Sequence, residues 1–169
     1  FLSFLQSQDI ELVADVRAHP GSRRSPQFGS EAMSGWLDAA GIGYLHLPEL
    51  GGRRPRQDVE PRINAGWRNA SFKNYADYTL LPGYEAGIER LVELASTRRV
   101  AVMCGEPTPW RCHRLLISNT LAARGWTVCH IIDDEEPQAH ELGRWGAPAE
   151  VEAGARVTYP DVARSARET

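Results

Sequence analysis

The sequence has 169 residues, 42% of them hydrophobic and 24% charged, which is enough for one globular domain with a sizeable core. Its net charge of −3 excludes the overall basic field of many nucleic-acid-binding proteins, and no apolar stretch is long enough for a membrane span. Three cysteines, an odd number, argue against a disulfide framework and predict a cytoplasmic protein.

The first part of the chain predicts two strands separated by a helix. Residues 1–7 are typical of the end of a helix, and residues 12–17 form a short apolar run typical of a buried strand. Residues 44–47 form the second predicted strand. Between the two strands, apolar residues at helical spacing indicate a helix: Met33, Trp36, Leu37 and Ala40.

Residues 51–77 follow no clean periodicity and are predicted to be irregular. A loop of this length inside a compact domain is usually functional or disordered. The segment alternates arginines with Trp67, Phe72 and Tyr75. Three interpretations are open: a surface that stacks bases and neutralises phosphates, a lid over a small ligand, or a surface loop held to the domain by its aromatic residues.

The later part of the chain predicts two more helices and two more strands. Helical spacing covers residues 84–95, and a strand is predicted at 99–104. A helix is predicted at 109–124, with Gly125 just after its end, followed by a strand at 127–132. We expect a single α/β domain over residues 1–142 and an irregular C-terminal tail over 143–169.

Alternating strands and helices predict an α/β fold, a Rossmann-like three-layer sandwich with a mostly parallel sheet. The four predicted strands are expected to be parallel neighbours in it. In such sheets ligands bind outside the carboxyl ends of the strands, where this chain places arginines, histidines and cysteines. Asp15, inside a hydrophobic strand, is expected to be buried and paired with an arginine or with backbone N–H groups.

The richest chemistry lies in residues 104–114, CGEPTPWRCHR. Thr108 is a predicted cap of the following helix, whose free N–H groups favour an anion. Cys104, Arg111 and Arg114 are predicted ligand-binding residues. The same positive surroundings would lower the pKa of the Cys112 thiol.

Four interpretations of this stretch remain open. Cys112 is a candidate nucleophile, with His113 beside it, although the spacing C-x6-R is one residue longer than the usual phosphate loop. Cys104, Cys112 and His113 could join His19 or His46 around a metal, but without a C-x-x-C pair we assign no metal ligand. The arginines could bind phosphate without covalent chemistry, or the cysteines could simply be small core residues.

Two further loops supply candidate residues. In the loop after the first strand, Arg17, His19, Arg23 and Arg24 are predicted to bind oxyanions, unless the loop is a solvated turn. Arg53 is predicted to bind the ligand from the middle segment. His46 is a candidate acid or base, with Glu49 as its partner, although a lone histidine on a strand is more often structural.

The chain resembles the bacterial family catalogued as domain of unknown function 488. The resemblance lies in LVADVRAHPGSRRSPQF, AGIGYLHLPELGGRR, ASFKNYADY, VMCGEPTPWRCHRLLI and HEL, from Leu12 to Leu142. It implies an α/β fold and a cytoplasmic bacterial protein, and little about activity. Members of the family usually begin with a strand that carries a Thr-Ile-Gly-His-type motif, and the sequence shows no such motif ahead of Phe1. If that segment belongs to the native protein, this chain lacks one strand and one candidate site histidine.

The sequence thus predicts an anion-binding domain, for phosphate, a nucleotide or a nucleic-acid end, which could be an enzyme using a cysteine or histidine in an arginine-rich crevice. The alternative is a non-catalytic nucleic-acid or protein interaction module. The sequence identifies no cofactor and no oligomeric state. The expected partner is a phosphate-bearing small molecule or a nucleic acid, and not a membrane.

Overall fold

The computed structural model describes residues 1–21, 23–133 and 135–166 of a mixed α/β protein. Its central feature is a parallel sheet of three strands, β1 (Leu12–Asp15), β2 (Gly43–His46) and β3 (Val100–Met103). The strand order is β2-β1-β3, so β1 is central. These strands confirm three of the four predicted from the sequence.

Helices connect and cover the strands. The α-helices are α1 (Leu2–Ser7), α2 (Ser30–Ala39), α3 (Ala70–Tyr78), α4 (Pro82–Ala95), α5 (Arg114–Ala123) and α6 (Val162–Ser165). Short 3-10 helices lie at Pro26–Phe28, Pro48–Leu50, Pro109–Arg111 and Ala153–Ala155. Gly125 lies just after the end of α5, as predicted, and its φ of +84° suits glycine. Within the described residues, no helix has the length and apolar character to cross a bilayer.

Strand β1 is buried along its whole length because both of its faces are covered. Successive side chains of a strand point to opposite faces, and Val13 and Ala14 belong to two different hydrophobic clusters. Val13 packs in the cluster that contains Met33 and Leu37 of α2. Ala14 packs in the larger cluster, which contains residues of α3, α4 and α5.

The fourth predicted strand does not join the parallel sheet. Strand β4 (Cys129–His130) pairs antiparallel with β5 (Gln138–Ala139) in a separate two-stranded sheet. The prediction that residues 127–132 are a parallel neighbour of the other three is therefore wrong. The segment that follows β4 folds back on it and supplies its backbone partners locally, so that the N–H of His140 also donates to the carbonyl of Val128.

Helix α3 lies inside the segment that was expected to be irregular. Asn69 begins it, because its side-chain oxygen accepts hydrogen bonds from the backbone N–H groups of Ser71 and Phe72. The helix buries Asp77, which binds Lys73 and Asn64 through its two carboxylate oxygens. Because Asp77 is buried but charged, the apolar residues of α3 do not follow the helical spacing by which helices are recognised. The sequence pattern therefore did not predict this helix.

The C-terminal segment, expected to be an irregular tail over 143–169, contains a hairpin and contributes to the core. Strands β6 (Glu150–Glu152) and β7 (Arg156–Thr158) pair antiparallel. Val157 and Tyr159 are buried in the larger cluster. The buried amide of Asn119 on α5 donates to the Tyr159 hydroxyl at 2.9 Å. These contacts depend on residues distant in sequence, which a local pattern does not register.

Candidate functional site

The carboxyl ends of the three parallel strands border a cleft with a volume of about 500 Å³. This is the edge at which the sequence predicted a site. The cleft is lined by predicted site residues from three separate loops: Arg17, His19, Arg53, Cys104, Arg111, Cys112 and His113. Phe72 and Tyr75 of α3, which belong to the middle segment of arginines and aromatic residues, also line it.

The loop between β3 and α5 differs from the predicted continuous helix over 109–124. The Pro109–Arg111 turn is followed by Cys112 in an extended conformation, and α5 begins only at Arg114. The Thr108 hydroxyl does not cap the helix; it is buried and has no hydrogen-bond partner among the described residues. The extended backbone places the Cys112 sulfur next to the first N–H groups of α5.

Arg114 supports this loop from behind the cleft, which it does not line. Its backbone N–H and its Nε–H each lie 3.5 Å from the Cys112 sulfur. Its Nη2 donates to the carbonyl oxygen of Glu106. Arg114 therefore fixes the Cys112 sulfur and the loop that carries Cys104.

The sulfur atoms of Cys104 and Cys112 lie within 4.8 Å of each other, and the ionisation of each affects that of the other. The pKa of Cys104 is lowered, first by hydrogen bonding with Cys112, and further by the nearby His113 side chain and the backbone of Glu106. The pKa of Cys112 is raised, first by the same hydrogen bond and then by burial. The first proton of the pair therefore leaves easily and the second with difficulty.

The His113 side chain is held in one orientation. Its Nε2 lies 2.9 Å from the carbonyl oxygen of Val16, and because a carbonyl only accepts, Nε2 carries the proton. Its Nδ1, which carries no proton in the neutral ring, lies 3.5 Å from the Cys112 sulfur. The ring also packs against Tyr75, with centroids 4.9 Å apart. The side-chain atoms that could ligate a metal in Cys104, Cys112 and His113 all lie within 4.8 Å of one another.

The other predicted histidines are not part of this cluster. His46 does not line the cleft; its Nε2 lies 2.9 Å from the carbonyl oxygen of Arg17, so it supports the backbone of the loop that follows β1. His19 lines the cleft and is exposed. Neither joins Cys104, Cys112 and His113 as the sequence had suggested.

Arg17 contributes less charge to the cleft than the sequence suggested. Asp15 is fully buried, as predicted, and one of its oxygens lies 2.6 Å from Nη2 of Arg17. The Tyr44 hydroxyl donates to the same carboxylate. The pKa of Arg17 is raised, first by the hydrogen bond with Asp15. The pair is close to neutral, and Arg17 serves as a wall of the cleft.

Arg53 and Arg111 are the cations that remain available to a ligand. Both are exposed and line the cleft, and within the described residues neither forms an ion pair. Arg53 has a φ of +58°, a left-handed conformation that is uncommon for a residue with a side chain. Glu106 is the single acidic residue among the described lining residues. The predicted ligands Arg23 and Arg24 are exposed but do not line the cleft.

A family model, described as domain of unknown function DUF488, matches residues 1–121. The chain belongs to the DUF488 family. The matched range contains every residue that lines the cleft and ends within α5. A search of curated proteins found no match, and neither did a search of solved structures.

In this DUF488 member the aromatic residues of the middle segment are mostly core residues. Trp67 is 9% exposed and Tyr75 2% exposed, and Trp67 stacks on Phe72 with ring centroids 4.7 Å apart. Buried rings are not available to stack on the bases of a nucleic acid. Of the three interpretations of this segment, the burial of these rings agrees best with a surface loop held to the domain by its aromatic residues. Arg53 of the same segment lines the cleft.

Proposed function

We propose that the cleft binds the oxyanion of a phosphate-bearing ligand, such as a nucleotide or a nucleic-acid end. Arg53 and Arg111 hold the oxyanion, and the cluster of Cys104, Cys112 and His113 carries any chemistry performed on it. One observation carries the proposal: two exposed arginines, without an ion pair in the described part of the chain, line the same cleft as this cluster.

The physical case rests on charge and shape. A guanidinium group matches an oxyanion with two parallel hydrogen bonds, and two such groups at one cleft favour phosphate over a neutral ligand. The volume of about 500 Å³ lies in the range of small-ligand sites. The positive end of α5, beside Cys112, adds to the attraction.

The same features favour a ligand site over a non-catalytic interaction module. A module for nucleic acid would expose arginines together with aromatic rings, whereas Trp67 and Tyr75 are buried. Two sulfur atoms and an imidazole gathered at the wall of a cleft are the groups that nucleophilic and metal-assisted reactions use.

We also propose that the fold is a Rossmann-like three-layer sandwich and that the protein is cytoplasmic. A Rossmann-like three-layer arrangement is supported by the clusters on the two faces of β1, one with α2 and one with α4 and α5. A reducing cytoplasm suits three free cysteines.

The test is a calorimetric titration of the full chain with inorganic phosphate, a mononucleotide and a short oligonucleotide carrying a terminal phosphate. Arg111→Ala and Arg53→Ala should each weaken binding by about 1–3 kcal/mol, because each removes a charge-assisted hydrogen bond. The matched control is Arg99→Ala. Arg99 is exposed and precedes β3 at its amino end, the edge of the sheet opposite the cleft.

The losses in the two cleft variants should shrink at high salt, since both arginines are exposed. Equal binding by Arg99→Ala and the cleft variants would mean that the interaction is a general charge effect. Failure of all three ligands to bind the wild-type chain would contradict the proposal.

A further inference from the structure

The three potential metal ligands of the cleft have the chemistry of a zinc site. Two cysteine sulfurs and one histidine nitrogen form a recurrent ligand set for catalytic zinc, with the fourth coordination position left open. Here the Cys104 and Cys112 sulfurs and a His113 nitrogen lie within 4.8 Å of one another. Cys112 and His113 are adjacent in sequence, so the spacing lacks the C-x-x-C pair by which zinc sites are usually recognised.

The distance between the Cys112 sulfur and Nδ1 of His113 suits two ligands of a tetrahedral ion. Zn–S bonds of about 2.3 Å and Zn–N bonds of about 2.0–2.1 Å place sulfur and nitrogen about 3.6 Å apart around a tetrahedral centre. The Cys112 sulfur and Nδ1 of His113 lie 3.5 Å apart. In the neutral imidazole the proton lies on Nε2, which donates to Val16, so the lone pair of Nδ1 is available to a metal.

Two of the three ligand atoms have outer partners of the kind that zinc ligands have. His113 donates its other ring N–H to a backbone carbonyl, as metal-bound histidines usually do. The Cys112 sulfur lies 3.5 Å from two N–H groups of Arg114. These N–H groups continue to stabilise a thiolate after it binds a metal.

Space is left open beside the histidine nitrogen. A Cβ at Gly52 would lie 2.8 Å from Nδ1 of His113, closer than real Cβ atoms approach. Glycine at this position therefore keeps the cleft side of Nδ1 clear. Cys104, Cys112 and His113 all line the cleft, so a metal held by them would face the ligand.

We propose that Cys104, Cys112 and His113 bind one Zn²⁺ ion, whose fourth position faces the cleft and takes a water or an oxygen of the bound oxyanion. The assignment of the oxyanion to the fourth position rests on the proposed function. The assignment of the three protein ligands does not. Binding converts both thiols to thiolates and releases their protons to solvent, while His113 stays neutral. The two thiolates balance the charge of the ion, and both sulfurs are then occupied as ligands.

The test measures zinc in the full chain, expressed with added zinc, freed of any metal-binding tag and dialysed under reducing conditions. Mass spectrometry of the metal should find about one zinc per chain, as a single three-ligand site requires. Cys104→Ser, Cys112→Ser and His113→Gln should each lose it. Glutamine keeps a nitrogen that can donate to Val16 and removes the ligand nitrogen. Cys129→Ser, at the exposed third cysteine, is the matched control and should keep the metal.

Two further measurements keep the result interpretable if a variant folds poorly. Cobalt substituted for zinc in the wild-type chain should give the visible bands of a tetrahedral ion and sulfur-to-cobalt charge transfer. A thiol reagent should label only Cys129 in the zinc-loaded chain and all three cysteines after chelation. Wild-type chain that retains no zinc and gives no cobalt spectrum would overturn the metal site, as would equal labelling of the cysteines with and without zinc.

The metal site and the proposed function can fail separately. Arg53→Ala and Arg111→Ala should retain zinc while losing phosphate. Phosphate binding without zinc in the wild-type chain would overturn the metal site alone, and zinc binding without phosphate would overturn the oxyanion ligand.

Discussion

His113 and Val16 join the loop that carries the cysteines to the central strand. Nε2 of His113 donates to the carbonyl of Val16 at 2.9 Å, and Val16 directly follows β1. This bond connects two loops at the carboxyl edge of the sheet, and it orients Nδ1 toward the Cys112 sulfur. The orientation of the imidazole is therefore set by the fold before any ligand arrives.

Gly52→Ala should disturb this arrangement without unfolding the protein. The added Cβ would lie 2.8 Å from Nδ1 and 3.0 Å from Cε1 of a ring that Val16 and Tyr75 hold in place. We expect zinc affinity to fall at least about tenfold in competition with a chelator, as when a group that orients a metal ligand is disturbed. Gly21→Ala is the control, because Gly21 also lines the cleft but has open space at its Cβ. Equal zinc affinity of the two variants would contradict this.

Asp15→Asn should be strongly destabilising. It leaves the Arg17 guanidinium, whose side chain is 12% exposed, without its buried carboxylate partner. Removing one member of a buried ion pair typically costs about 3–5 kcal/mol. The control is Glu85→Gln, which breaks a more exposed pair with Arg124 and should cost at most about 1 kcal/mol. The measurement is urea unfolding of both variants, and similar losses would contradict the account.

The sequence predicted the features that depend on local patterns of apolar residues and on the general geometry of parallel sheets. Apolar runs identified β1, β2 and β3, and the rule that parallel strands end at one edge located the cleft. Asp15 was identified as buried and paired because a lone carboxylate on an apolar strand needs a partner.

The sequence was a poor guide to which candidate side chains are engaged in structural contacts and which are exposed. Arg17 was expected to bind ligand, but its guanidinium bonds Asp15, two residues away. His46 looked like an acid or base and instead holds a backbone carbonyl. Cys129 lies in an apolar run of the sequence, yet it is exposed in the local hairpin of β4 and β5.

The stability of the protein should fall as the pH drops from about 6.5 to about 4. Burial, first, and then the nearby charges of His140, Arg114 and Arg144 lower the pKa of His130 from 6.5 to about 4. Between these values the unfolded chain binds more protons than the folded chain, so stability is lost as pH falls. The loss at His130 amounts to at most about 3 kcal/mol.

The variant His130→Gln separates this effect from general acid unfolding. His140 Nε2 donates to the oxygen of Asn119 at 2.9 Å, so its Nδ1 accepts from His130, and a glutamine amide can make the same donation without titrating. Urea unfolding across this pH window should show a smaller pH dependence for the variant than for the wild type. An unchanged pH dependence would show that His130 is not its source.

The hairpin of β6 and β7 offers a matched test of whether residues after 142 belong to the folded core. Val151 and Val157 are directly opposite in the hairpin, but Val151 is 50% exposed and Val157 is 6% exposed. Val157→Ala should cost about 1.5–3 kcal/mol, since it removes buried methyl groups from the larger cluster. Val151→Ala should change stability by less than about 0.5 kcal/mol. Equal effects would mean that the hairpin does not pack on the core.

The most direct test of the central claim is a crystal structure grown with selenate, an oxyanion whose selenium is located by anomalous scattering. The claim is that Arg53 and Arg111 hold an oxyanion in the cleft beside Cys104, Cys112 and His113. It predicts an anomalous selenium peak between the two guanidinium groups in the wild-type crystal and no peak there in the Arg53→Ala/Arg111→Ala double variant. An empty cleft in wild-type crystals whose packing leaves it open to solvent would contradict the claim.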